Sequence, residues 1–475
     1  MSHWYLHISY APVPVLADNL GYVPALAGAE PRLQRRYHQL VVAHLSHAHR
    51  LAAGLHAPSS LAKPFAAVQA AWRFYSNDRI SLSRLAGPLI ECARSEVPAV
   101  CTDWMLVVLD WSNLHFCSHE SKAGRVQLAH AKDLGYDLLT ALALSDGDGS
   151  PIAPLCLELR TSDGTHSTRA DQPLPSASQL DALEPVMAYV TGLQLGKPPV
   201  FIVDREADSV GHYRAWSKAK YRFLVRANDN RFVRHAGREC RLHEVGDSLR
   251  KKRRFTRSRT VCIQGQEAEQ FVAETTVVLH RPARTHRVDP QTGQAQHHNI
   301  SGVPVKLRLI VSELRDEGGR VLARWLLLTN LPASVAAETV ALWYYWRWRI
   351  ESYHKLLKCA GQHVESWQQE TPATLSRRLV VAAMSVAIVW RLARDDSPSA
   401  AEMREVLVRL SGRQMKRGPK ARPFTEPALL AGLGVLLPML DCLRRYTVED
   451  LLRLTEAVMP SLVTAPARKA GGDDG

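Results

Sequence analysis

No two cysteines in this chain of 475 residues are spaced as CxxC; the eight present, Cys92, Cys101, Cys117, Cys156, Cys240, Cys262, Cys359 and Cys442, lie scattered along it. Such scatter argues against a zinc ribbon or a disulfide framework and fits a reducing cytoplasm. The opening stretch MSHWYLHISYAPVPVLADNL lacks a basic segment followed by an apolar core, so no secretory signal is expected. Apolar runs are also short. The longest, around 379–389 and 428–440, fall below the ~20 residues of a membrane helix and are expected to be buried helices, which leaves no membrane partner. We find no internal repeat.

Positive charge, by contrast, is plentiful. A formal net charge of +14 points to a polyanionic partner, of which nucleic acid is the first candidate. The length leaves room for several domains, at ~100 to 200 residues each.

The texture changes along the chain. Residues 1–100 are mainly helical in pattern, with PRLQRRYHQLVVAHLSHAH and PFAAVQAAWRFYSND separated by breaks. His44, His47 and His49 in this part lack an acid partner at helical spacing and read as a polar helix face. Residues 101–225 form an α/β unit: DWMLVVLDWSNLHF and PPVFIVDREAD each carry a continuous apolar run that ends in an acid, Asp110 and Asp204. Residues 226–335, with the basic run RKKRRFTRSR, read as a β-rich insertion, and the α/β texture resumes over 336–395. Residues 396–475 form a C-terminal helical segment reached through the break RDDSPSAAEM.

The stretch YYWRWRIESYHKLLK, residues 344–358, sets five aromatics and one acid among four Lys or Arg. On a single helix at ~100° per residue, Tyr344, Arg347, Glu351 and Lys358 share an arc of about 60°. Leu342, Trp346, Ile350, Tyr353 and Leu357 then form the side to be buried. The plainer account of Glu351 is an ion pair with Arg347 and Lys355, contributing ~0.3 to 0.5 kcal/mol. That account leaves Asp110 and Asp204 unexplained, because a carboxylate at the end of a buried strand is costly unless paired or metal-bound. Three carboxylates are the oxygen ligands that a pair of Mg²⁺ ions requires, with Mn²⁺ as a substitute. Arg347, Lys358 and the Tyr344 hydroxyl would then hold the phosphates beside the bond to be cut.

The spacing Y-x2-R-x3-E-x6-K at Tyr344, Arg347, Glu351 and Lys358 resembles the signature of the DDE transposases of the insertion-sequence-four family. VVLDWSNL and VDREAD resemble the segments that carry that family's first and second catalytic aspartates, which map to Asp110 and Asp204. The resemblance implies a ribonuclease-H-like core interrupted by the β-rich insertion, with N- and C-terminal helical domains. It implies a magnesium-dependent transposase of a bacterial insertion sequence that binds terminal inverted repeats, cleaves DNA and joins the ends to a target, with a hairpin as one route to the second strand. The catalytic and metal residues would be Asp110, Asp204 and Glu351. The N-terminal helices resemble the family's end-binding domain, making Arg32, Arg35, Arg36, Arg73 and Tyr75 DNA contacts. WLLLTNLP places Trp325 as the stacking partner of a flipped base, and FLVRAND puts Arg226 near DNA. Glu206 and Asp208 are read as supporting groups around Asp204. The partners implied are element-end and target DNA and a second copy of the chain in a synaptic complex, with the C-terminal helices as a dimerisation element and the nucleoid as the setting. Trp111 after Asp110 departs from the small hydroxyl residues usual in the family.

Two rival readings use fewer of these features. A ribonuclease-H-like nuclease that cuts without joining needs the three acids but not the end-binding helices. A domesticated DNA-binding protein would be expected to have lost at least one acid.

Overall fold

The apolar run that opens at Met105 becomes the centre of a large mixed sheet. This computed structural model describes residues 23–46, 64–263, 266–288, 295–413 and 423–458. Helices α1 (Pro31–Ser46), α2 (Pro64–Tyr75) and α3 (Leu82–Val100) come first. Strands β1 (Met105–His115), β2 (Val126–Gln127), β3 (Leu134–Ser145), β4 (Pro151–Thr161) and β5 (Gly164–Ser167) follow as an antiparallel run. The chain then alternates through α4 (Gln179–Gly192), β6 (Pro199–Val203), α5 (Val210–Lys218) and β7 (Arg222–Arg226). Serine hydroxyls at Ser81 and Ser178 cap the starts of α3 and α4 by accepting backbone N–H groups that would otherwise be orphaned.

Residues up to 329 add β8 (Phe232–His235), β9 (Arg238–Arg241), α6 (Leu242–Lys251), β10 (Thr256–Ile263), β11 (Gln266–Leu279), β12 (Ala283–Val288), β13 (Ala295–Ile300), β14 (Val305–Arg315) and β15 (Val321–Thr329). These strands do not stand apart: β15 pairs with β7, so the sheet runs on as β5-β4-β3-β1-β6-β7-β15-β14-β11-β8-β9, with β12 and β13 as a separate hairpin. The basic run closes α6 and leads into β10, and its Arg250 is tied to the fully buried Glu313.

Helices α7 (Ala337–Trp346), α8 (Arg349–Leu357) and α9 (Pro372–Arg394) return to the core, and α10 (Pro398–Leu410), α11 (Glu426–Leu443) and α12 (Val448–Val458) complete the described chain. Helix α9 is the hub, buried along most of its length. The buried Arg377 on it donates to the carbonyls of Ile80 and Tyr75, which ties the N-terminal helices to the core. The expectation of a buried helix at 379–389 therefore holds. At 428–440 it holds only in part: Ala428, Leu429, Leu430 and Gly432 of α11 are buried against α1, α9 and α10, while Val435 and Met439 stay exposed among the described residues. Both helices are long and apolar enough to cross a membrane by composition, and α9 lies inside the protein.

Candidate active site

Parallel strands release their chains along one edge, where the residues that follow the last pairing face a crevice. Register aligns three strands there. Leu109 of β1 lies beside Val203 of β6, and Val203 lies beside Val225 of β7. The next residues are Asp110, Asp204 and Arg226, so two carboxylates and a guanidinium arrive side by side. Strand β1 does not end at Asp110, as its apolar run implies, but continues to His115, because β3 goes on pairing with it.

Asp204 leaves the sheet into a 3₁₀ turn over Arg205–Ala207 and caps that turn by accepting the Arg205 N–H at 2.6 Å. Asp208, at the end of the turn, accepts from the Tyr213 hydroxyl at 3.0 Å, the Asn228 N–H at 2.8 Å and Arg231 Nε at 3.1 Å. It fixes the turn to the loop after β7. Glu206 points to solvent.

The third acid arrives on a broken helix. The helical period predicts one helix over 342–358, but α7 stops at Trp346 and α8 begins at Arg349. Between them the bonding tightens to i→i+3, with Arg347 N–H on the Tyr344 carbonyl and Ile350 N–H on the Arg347 carbonyl, each at 3.1 Å. The break carries no glycine or proline; Arg347 is instead held by partners outside the helix. The single-helix arc is lost with it. Tyr344 is turned inward, while Leu342 and Trp346 are only partly buried and Ile350, Tyr353 and Leu357 form the buried side of α8.

Arg347 joins the three acids. One Nη donates to Asp110 Oδ2 at 3.0 Å, and the other lies 3.4 Å from Asp204 Oδ2 and 3.3 Å from Glu351 Oε1. The Tyr344 hydroxyl donates to Asp204 Oδ1 at 3.1 Å. Burial pushes the Asp110 carboxyl up to about 6 against the opposing pull of Arg347. Burial also raises Glu351, partly offset by Arg347 and Lys355. Asp204 goes the other way: burial would raise it, but Arg347, the Arg205 N–H and the Tyr344 hydroxyl together hold it below the usual carboxylate range. Burial tends to lower Arg347, yet Tyr344 and the three acids keep it above the ordinary guanidinium value.

Three hard oxygen donors from separate elements, converging on one positive centre, are the chemistry that Mg²⁺ or Mn²⁺ selects. The donor set fits such ions. Among the described residues, however, no trio of His, Cys, Asp or Glu stands ready to hold a metal as placed, since the Arg347 guanidinium lies between the carboxylates.

The remaining candidates are dispersed. Lys358, at the far end of α8, donates to the Asn113 carbonyl at 2.6 Å and pairs with Glu365 at 3.1 Å. Glu365 also accepts the His115 N–H at 3.0 Å, so it anchors both Lys358 and the end of β1. Its role had no signal in the sequence, because it depends on the chain folding back after α8. Trp325 is buried, with its ring centroid 5.7 Å from that of Tyr344. Trp348 is 49% exposed and lies against the Arg347 guanidinium. Arg226 is partly buried beside Asp204, whose charge it stabilises. Arg32, Arg35 and Arg73 are exposed on α1 and α2, and Arg36 is partly exposed. Tyr75 is turned into the core, where its hydroxyl meets buried His44 at 3.2 Å. His47 and His49 lie outside the described residues.

A family model described as the transposase DDE domain matches residues 105–388, which contain all three acids. No curated protein matches the chain. Among solved structures, one described as the piggyBac transposase synaptic complex with hairpin DNA is similar at 11% identity and a TM-score of 0.35, over 96% of this chain and 81% of that one.

Proposed function

We infer that this chain, which belongs to the transposase DDE domain family, is the transposase of a bacterial insertion sequence and works on the terminal inverted repeats of its element. The meeting of Asp110, Asp204 and Glu351 around one point, inside the matched span, carries this reading. A ribonuclease-H-like core is supported by the strand order β4-β3-β1-β6-β7, with β6 and β7 added parallel to β1. The strands between β7 and α7 are read as the insertion at 226–335 within that core. The spacing of Tyr344, Arg347, Glu351 and Lys358 supports a place in the insertion-sequence-four group, near the transposase of transposon five.

Asp110, Asp204 and Glu351 would hold two Mg²⁺ ions, with Mn²⁺ as a substitute, and the ions bound there supply the activation of an oxygen nucleophile and the stabilisation of the leaving oxygen. The chain's own groups position the DNA. Arg226 and Arg347 offer forked donors to backbone phosphates at the sheet edge, and Lys358 offers a point charge once it parts from Glu365. Water attacks a phosphodiester at each element end and releases a 3′ hydroxyl. That hydroxyl then attacks a second phosphodiester, in the target or first in the opposite strand to form a hairpin, so that one P–O bond forms as another breaks. For the hairpin route Trp325 would have to leave its packing against Tyr344 to stack on a base. Arg32, Arg35, Arg36 and Arg73 would carry end binding, a second copy would complete the synaptic complex through the C-terminal helices, and the setting would be the cytoplasmic nucleoid.

The test uses the purified chain, Mg²⁺ and a DNA fragment carrying the element's own ends. Glu351→Gln is expected to abolish strand cleavage while retaining end binding. Continued cleavage at the wild-type rate overturns the assignment.

A further inference from the structure

Arg347 occupies the space that a metal ion would have to share. Its guanidinium lies within 3.0 to 3.4 Å of a carboxylate oxygen on each of the three acids, and the residue is only 6% exposed. A Mg²⁺ or Mn²⁺ ion draws carboxylate oxygens to ~2.0 to 2.2 Å, and a fixed positive charge among the same oxygens opposes it. Two further features bear on whether the side chain can leave. Nε of Arg347 is buried and has no hydrogen-bond partner among the described residues, so the present position leaves a donor unused. A phosphate could take Nε and an Nη together in the forked geometry that guanidinium prefers. The helix is also interrupted at Arg347 and Trp348 by i→i+3 bonding, and a short 3₁₀ stretch between helices is a common hinge.

We propose that Arg347 is an internal counter-ion, which fills the acid cluster in the DNA-free protein, competes there with the metal, and is drawn off by a phosphate of the DNA. The proposal rests on the metal-site reading of Asp110, Asp204 and Glu351. It makes metal binding and DNA binding mutually reinforcing, since whatever pulls Arg347 away opens the carboxylates. It also keeps the free protein weakly metallated, so that phosphodiester hydrolysis waits for a correctly seated substrate.

The experiment measures Mn²⁺ binding to the full chain by the paramagnetic signal of the free ion, without DNA. Arg347→Gln is expected to bind Mn²⁺ about ten-fold more tightly than the wild type, and Mn²⁺ should raise its Tm more. Asp110→Asn and Glu351→Gln should each lose binding. If they lose it while Arg347→Gln gains nothing, the counter-ion role is overturned and the metal site stands. If the acid variants bind Mn²⁺ like the wild type, the metal-site reading itself fails. Should Arg347→Gln not melt cooperatively, Arg347→Lys replaces it: one ammonium cannot span three carboxylates, and affinity should rise about three-fold, with no rise counting against the proposal. A duplex carrying the element's own end, corrected for the Mn²⁺ that DNA binds alone, should tighten Mn²⁺ binding more in the wild type than in Arg347→Gln. An equal gain overturns the gating by phosphate.

Discussion

The hydroxyl of Tyr344 donates to Oδ1 of Asp204 at 3.1 Å, while its ring packs against Trp325. Burial, with Asp204 beside it, pushes the phenol pKa up, so the hydroxyl keeps its proton and remains a donor. On a single outward-facing helix this Tyr would have met a phosphate directly. In the folded chain it orients an acid.

Tyr344→Phe keeps the ring and removes only that donor. A hydrogen bond to a charged group is worth ~1.5 to 3 kcal/mol, which sets the loss in cleavage rate at roughly ten-fold or more. DNA affinity should barely change. Single-turnover cleavage and binding measured on the same preparation decide this; weaker DNA binding at an unchanged rate would show that the hydroxyl serves the substrate instead.

Gly149 is expected to resist substitution because of Trp346, a residue far away in the chain. Its φ of +69° is unfavourable for a side chain, and an added Cβ would meet the Trp346 ring at 2.4 Å. Gly149→Ala should cost about 2 kcal/mol or more and, by shifting the residue next to Arg347, should also slow cleavage. Gly319→Ala is the control: its φ is +77° with nothing within 4 Å, so only the backbone cost of about 1 kcal/mol should appear, with normal cleavage. Denaturant titrations and cleavage assays on both variants separate the two effects.

Lys122 provides a pH signature remote from the three acids. It is buried, donates to the Gln369 carbonyl and lies over the Phe116 ring. Burial lowers its pKa from 10.5 to about 8, with Arg378 and Arg125 adding to the effect and Glu370 opposing it. At Lys122 the unfolded chain therefore binds more protons than the folded chain between those two values, so this residue's contribution to stability should rise with pH across that window, against the opposite contribution of the buried thiols of Cys92, Cys101 and Cys156, which burial raises from 9.0. The Lys122 contribution should be about 2 kcal/mol, read as the change with pH in the stability difference between wild type and Lys122→Met. Urea unfolding of both proteins at several pH values tests it, and a stability difference between wild type and Lys122→Met that stays constant from pH 8 to 10.5 would refute the account.

Much of the site could be approached from residue order. Apolar runs that end at Asp110 and Asp204 mark buried strands because an unpaired charge is costly inside a sheet, and register then brings the two acids together. The helix period located Glu351 near Arg347, and that pair forms. Helix break, Glu365 and the inward turn of Tyr344 had no local signal. Each is set by a partner far along the chain.

What the sequence by itself determined is therefore local: which segments carry the buried apolar runs, which acids follow those runs, and the strong positive charge. Periodicity and apolar runs record the burial of a segment, so these features survive translation into structure. Only the tertiary fold decided that β15 would extend the same sheet from β7, that α11 would leave part of its apolar face uncovered, and that one guanidinium would sit among three carboxylates. The reason is physical: ion pairing and strand addition depend on distances between residues that lie hundreds of positions apart, and those distances exist only once the core has packed.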